Sequence, residues 1–240
     1  MLKFLGIGSA FNTELGNNSA FIKEGKSLLL IDCGGTVFHD LQKYHLLEGL
    51  EEIFVLITHT HPDHVGSLGE VIFYCYYILK VKVNLFFPNE ILMISYLQII
   101  GVTPDMYCLQ TAEDIQFSVN ELELTSLQWI EQEHVETMPA YSFILKGQGV
   151  SFYYSGDGYA LRDNVIKRLV KGEIKYIYQD TCGLDYENNA HLYLHKLADL
   201  IPQNLREYVY CMHLDKHIKL AEIQQLGFNV VERISSNFWG

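Results

Sequence analysis

Thr58-His59-Thr60-His61-Pro62-Asp63-His64 follows the apolar run Ile53-Phe54-Val55-Leu56-Ile57 and places four potential metal ligands within six residues. The run is rich in β-branched and aromatic side chains and predicts a buried strand. Alternate side chains of an extended chain share a face, so His59 and His61 point the same way and can grip one cation, with Thr60 turned away. Pro62 suits a turn or a first helical position and swings Asp63 and His64 in a new direction. One short segment can therefore feed two neighbouring metals, with nitrogen ligands suited to zinc and Asp63 as an oxygen ligand or proton acceptor. A solvated histidine-rich turn is the plainer alternative, and three histidines with an aspartate at the tip of a buried strand argue against it.

Composition narrows the partners. Over 240 residues, 49% are hydrophobic and 19% charged, which suits one globular α/β domain spanning 1–240. A net charge of -12 argues against tracking long nucleic acid, which relies on Lys and Arg, but leaves room for a small anion held by metals. Cys33, Cys75, Cys108, Cys182 and Cys211 are odd in number and form no CxxC pair, so reduced, mostly buried thiols of a cytoplasmic protein are expected. The amino terminus reads as a strand start without a signal peptide, and no segment predicts a membrane span.

Strands are expected over 2–7, 19–23 and 27–31, the last two joined as a hairpin across Glu24-Gly25-Lys26. Helices are predicted over 36–45, 66–80 and 89–100, with a strand over 81–87 between the last two. Residues 101–114 read as irregular, and 115–130 as two strands. A hairpin over 141–146 and 150–154 leads to Ser155-Gly156-Asp157-Gly158. Helices over 162–171, 192–200 and 218–226 then alternate with strands over 174–178, 209–211 and 227–231. This pattern predicts two mixed sheets sandwiched between helices.

Three later residues fit the same metal centre because each follows a strand. They are His134, Asp157 between two glycines that let backbone come close, and His213. Singly, each is an ordinary strand-end residue; together, in this order, they complete a ligand set. His59-Thr60-His61-Pro62-Asp63-His64 with His134, Asp157 and His213 resembles the metallo-β-lactamase fold, an α/β αββα sandwich, over nearly the whole chain. The resemblance implies that His59, His61 and His134 hold one zinc and Asp63, His64 and His213 the other, with Asp157 bridging. Manganese or another divalent metal could stand in for zinc.

Gln179-Asp180-Thr181-Cys182 and Ala190-His191-Leu192 are similar to the acidic segment and the helix-opening histidine motif of tRNase Z-type phosphodiesterases. Leu192 and Tyr193 replace the Ser and Thr of that motif, so only the histidine carries over. There the acid orients the histidine, which stabilises phosphate or protonates the leaving oxygen; Asp180 and His191 inherit these expectations, and Asp63 that of holding the nucleophile's proton. His134 and Asp157 are only 23 positions apart, with no long basic arm for tRNA between them. The chain resembles more closely the anti-Pycsar family of phage and bacterial proteins, which degrade cyclic nucleotide defence signals. The similarity is strongest over 8–18, 58–69, 178–182 and 210–215.

That resemblance implies a 3′,5′-cyclic nucleotide substrate, immune evasion and a homodimer, with Tyr107 in the segment 104–108 as a candidate for stacking the base. His39, His45, His195 and His217 read as surface or packing residues. RNA processing, lactone or ester hydrolysis on the same metals, and sequestration of a nucleotide without cleavage are the competing expectations. The first lacks the arm, the second leaves Asp180 and His191 without a task, and the third leaves the complete ligand set unexplained.

Overall fold

The computed structural model describes residues 2–117 and 121–235. The strand pair expected over 115–130 and the domain expected over 1–240 include residues outside that range. The first sheet runs in sequence order: β1 (Lys3–Gly6), β2 (Ser19–Glu24), β3 (Ser27–Ile31), β4 (Glu52–Leu56), β5 (Val83–Phe86) and β6 (Tyr107–Gln110). β1 to β3 are antiparallel and β3 to β6 parallel. Its crossovers carry α1 (Val37–Lys43), the short α2 (Pro62–Val65), α3 (Leu68–Tyr74) and α4 (Glu90–Ile99).

The second sheet, from edge to edge, reads β13 (Asn229–Val230), β12 (Val209–Met212), β11 (Tyr176–Asp180), β10 (Val150–Tyr154), β9 (Ala140–Gly147), β8 (Leu124–Gln132) and β7 (Asp114–Gln116). β7 to β10 are antiparallel and β10 to β13 parallel, with α5 (Asp163–Val170), α6 (Leu194–Leu200) and α7 (Leu220–Gln225) in the parallel crossovers. Each sheet thus begins antiparallel and ends parallel.

The apolar runs of β3 and β4 are continuous because both faces are covered. Leu29, Ile31, Phe54 and Leu56 point into a core shared with Phe143, Phe152, Tyr154 and Tyr178 of the second sheet. Their alternates, Leu28, Leu30, Ile53 and Val55, point into a second core with Val71 and Met93 of the helices. Each fully buried side chain of this size contributes about 1.5–3 kcal/mol of transfer free energy.

Four expectations shift. The segment 101–114 contains β6, a four-residue edge strand too short to show an alternation against its polar neighbours. The helix over 66–80 is two pieces: α3 runs into a π-helical turn at Cys75–Leu79 and stops at Lys80, whose φ is 63°. The strand over 174–178 lies two residues later and ends on Asp180. The helix after Ala190 begins at Leu194, leaving His191 in the preceding loop. Pro62 does open a helix, with His61 as its extended N-cap.

Candidate metal centre

The chemistry-bearing side chains gather at one edge, where strands end, the usual place for a ligand crevice in an α/β protein. Asp32 follows β3, His59 to His64 follow β4, His134 follows β8, Asp157 follows β10, Asp180 ends β11 and His213 follows β12. Close backbone packing holds the edge together. A Cβ on Gly34 would lie 2.0 Å from the Asp63 carbonyl oxygen, so only glycine lets the turn after β3 touch the loop of α2. The Tyr141 N–H donates to the Thr58 carbonyl at 2.9 Å, joining β9 to the end of β4.

Two donor groups emerge. In the first, His61 Nδ1 lies 2.9 Å from His59 Nε2 and 3.2 Å from His134 Nε2. In the second, Asp63 Oδ2 lies 3.3 Å from both His64 Nε2 and His213 Nε2. Asp157 sits between the groups. Its Oδ1 is 3.2 Å from His64 Nε2, and its Oδ2 is 3.3 Å from His213 Nε2 and 3.8 Å from His59 Nε2. All seven residues expected as ligands therefore converge, in the sets His59-His61-His134 and Asp63-His64-Asp157-His213.

Three observations fit a metal here. Tetrahedral ligands about 2.0–2.1 Å from zinc lie about 3.3 Å apart, which is the spacing found. His64 Nε2 and Asp157 Oδ1 are buried and lack a hydrogen-bond partner, although they face each other. Asp32, Asp63, Asp157 and Asp180 are all buried, and among the described residues none of them pairs with a Lys or Arg. That much buried negative charge draws in positive charge, from His64 and His213, both raised above the ordinary histidine range, or from a cation bound in place of their protons.

The electrostatics divide accordingly. Burial, reinforced by His64, pushes His59 well below the usual histidine range, and burial with His134 beside it lowers His61. Both rings are thus neutral, the form that ligates metal. Burial also disfavours a charged His213, but Asp157 and Asp180 outweigh it and draw that ring up to about 10. Asp63 is opposed by burial yet held below the carboxylate range by a hydrogen bond from His213 and by the His64 ring beside it. This second group attracts positive charge, as a site for a divalent cation must.

The far sides of the rings are also held. His59 Nδ1 meets Thr58 Oγ1 at 3.1 Å, His64 Nδ1 meets Asp32 Oδ2 at 2.9 Å and His134 Nδ1 meets the Ala190 carbonyl at 3.1 Å. Asp180 serves two rings, with Oδ1 3.2 Å from His213 Nδ1 and Oδ2 2.7 Å from His191 Nδ1. The Gly158 N–H donates to the same Oδ2 at 3.0 Å. Burial lowers the His191 pKa, but the Asp180 carboxylate more than offsets it and leaves the ring raised. Its ring centroid lies 5.1 Å from that of His213 and 5.5 Å from that of His134, beside a cavity of about 570 Å³ that His61, Asp63 and Asp157 also line.

Asp32 is the residue that sequence reasoning missed. Its Oδ1 accepts the Thr58 N–H at 2.8 Å, and its left-handed φ of 59° suits Asp or Asn. An aspartate opening a Gly-Gly turn at a strand end was the available signal, and it reads equally as a turn. Tyr107 is the first residue of β6, only 7% exposed, packed in the helix-side core and outside the lining of the metal cavity of its own chain. His39, His45, His195 and His217 are exposed, His45 pairing with Glu48 and His195 with Glu222. All five cysteines are free, and only Cys108 is exposed.

Asp32→Asn keeps the shape and tolerates the backbone while removing the charge behind His64. It is expected to weaken metal binding about 10–100-fold, the usual effect of losing such a support. Competition with a chelator measures this, and an unchanged affinity would refute the support.

Comparison with known proteins agrees with this geometry. The family model described as anti-Pycsar protein Apyc1 matches residues 1–235. The anti-Pycsar protein Apyc1 of Paenibacillus harenae is 29% identical over 221 residues, covering 88% of each chain. Among solved structures, the metallo-β-lactamase fold protein YhfI from Bacillus subtilis superposes with a TM-score of 0.73 at 14% identity, over 98% of this chain and 95% of its own. Human tRNase Z, short form, gives 0.66 at 16% identity, over 96% and 95%. The two mixed sheets and flanking helices are therefore a metallo-β-lactamase fold, and the chain belongs to the anti-Pycsar Apyc1 family.

Proposed function

We propose that this chain is a metal-dependent phosphodiesterase that hydrolyses 3′,5′-cyclic nucleotides to nucleoside monophosphates and so depletes a cyclic nucleotide immune signal. The Asp180–His191 pair carries the proposal. One carboxylate orients a metal-facing histidine and, 2.7 Å away on its other oxygen, a second histidine that stands free of both principal donor groups. Lactone or ester hydrolysis has no task for that pair. The shared description of the curated relatives supports the biological direction. The cavity of about 570 Å³ and the net charge of -12 favour a small anion over tRNA.

Two divalent ions, zinc by the histidine-rich donor set or manganese in its place, would be held by His59, His61 and His134 and by Asp63, His64 and His213, with Asp157 between. When bound they supply a water of lowered pKa and neutralise phosphate charge. Asp63, kept ionised, takes the proton of the attacking water. As the water oxygen bonds to phosphorus the P–O3′ bond breaks, and His191 gives its Nε2 proton to the departing ribose oxygen while Asp180 steadies Nδ1. The products are a linear monophosphate, protonated Asp63 and His191 without its Nε2 proton; Asp63 then loses its proton to solvent and His191 takes one up, which restores the starting state.

Incubating the purified zinc-loaded protein with cyclic AMP, GMP, CMP and UMP tests this directly. Linear monophosphates are the expected products; turnover confined to lactones or to pre-tRNA would sink the proposal. The family resemblance further supports a homodimer in the cytoplasm, and among the described residues no helix is long and apolar enough to cross a membrane. Light scattering on the same preparation should give twice the subunit mass, against the homodimer if it gives one.

A further inference from the structure

We propose that Phe11 is the platform on which the nucleobase of the substrate stacks; this rests on the phosphodiesterase function above and specifies how it takes its ligand. Phe11 is 86% exposed, in a chain whose other phenylalanines supply much of both cores. The exposure is not that of a loose end. The Ser9 N–H and Asn12 Nδ2 both donate to the Leu214 carbonyl, at 3.1 and 3.0 Å, and the Asn12 N–H closes a turn onto the Ser9 carbonyl at 2.9 Å. Asn12 itself is buried. A held backbone therefore presents an apolar ring to water, next to Asn12, whose side chain is tied to the carbonyl of Leu214, the neighbour of His213.

The place matters as much as the exposure. Phe11 lines the metal cavity of about 570 Å³ and also a neighbouring cavity of about 300 Å³, and His191 and His213 belong to both. A phosphate seated at the metals would leave its base within reach of this second space. Tyr186, 55% exposed, lines it too, as does Lys216, the only Lys or Arg among the residues lining either cavity. An aromatic face, a second ring and a cation suit a planar heterocycle attached to an anion. The broader cleft that His134 and His191 also line carries Glu131, Glu133, Glu136 and Glu187 against Lys196, an excess of carboxylates that repels such a ligand, whereas the smaller cavity sets Lys216 against Asp215 alone.

Stacking needs only the π-face that every base has, so Phe11 should serve all four cyclic nucleotides alike. Steady-state kinetics of the full-length, metal-loaded parent, Phe11→Ala, Phe11→Leu, Phe11→Trp and Tyr159→Ala tests this, Tyr159 being an exposed ring of the acidic cleft. Phe11→Ala is expected to raise KM about 5- to 150-fold for each cyclic nucleotide, with kcat within about threefold of the parent. Phe11→Trp should keep the parent KM, and Phe11→Leu, which restores bulk without a ring, should resemble Phe11→Ala. The inference is overturned by an unchanged KM in Phe11→Ala, by full recovery in Phe11→Leu, or by a loss that falls on Tyr159→Ala instead. An active parent with any of these results leaves the phosphodiesterase function standing, whereas a parent inactive on all four nucleotides ends both.

Discussion

Asp157→Ala is expected to leave purification with little bound metal and to turn over cyclic nucleotides at least about a thousandfold more slowly than the parent. The reason is positional. Asp157 is 2% exposed and, among the described residues, is the one carboxylate within 4 Å of ring nitrogens from both donor groups, His64 and His213 on one side and His59 on the other. Its removal empties the middle of the site and leaves His213, drawn up to about 10 by Asp157 and Asp180, with one carboxylate in place of two. Breaking a buried pair of this kind costs about 3–5 kcal/mol. Elemental analysis of the variant beside the parent, with a melting curve to confirm that it is folded, settles the matter. A folded variant that keeps the parent's full metal content would show that Asp157 is no ligand.

His191→Ala should behave in the opposite way, keeping the metals and losing chemistry. The ring hydrogen-bonds Asp180 at 2.7 Å and stands outside the two donor sets that contain His59 and His64. Removing a positioned proton donor costs about 10²–10⁴ in rate. The loss should depend on the leaving group: large for a cyclic nucleotide, whose ribose oxygen needs a proton, and small for bis(p-nitrophenyl) phosphate, whose phenolate leaves without one. Equal losses on the two substrates would remove His191 from leaving-group protonation. Loss of metal in the variant would instead make His191 a ligand, in keeping with the further group that it can form with Asp157, Asp180 and His213.

How much of this could be read from the chain depends on whether the signal is local. His59 to His64 are legible because strand alternation and one proline decide where four neighbouring side chains point. His134, Asp157 and His213 are legible as a set because each ends a strand, and strand ends at one edge converge. Asp32 is not, since its partners His64 and Thr58 lie 32 and 26 residues away and nothing near it in the sequence announces them. β6 was lost for want of length, and with it the placing of Tyr107 at a strand start. Phe11 sat inside a stretch whose resemblance was plain, but exposure is a property of the folded surface and has no local sequence code.

The division of the ligands between the sheets has a consequence for the molecule as a whole. His59, His61, Asp63 and His64 leave the first sheet, while His134, Asp157 and His213 leave the second. Packing of side chains such as Leu29 and Leu56 against Phe143 and Tyr154, together with hydrogen bonds such as that from the Tyr141 N–H to the Thr58 carbonyl, keeps the two sets in register. On the proposed ligand assignment, metal occupancy would be a gauge of sheet alignment. A packing fault deep between the sheets, far from those side chains, would then be expected to register first as weaker metal binding, while the bulk of the protein is still folded.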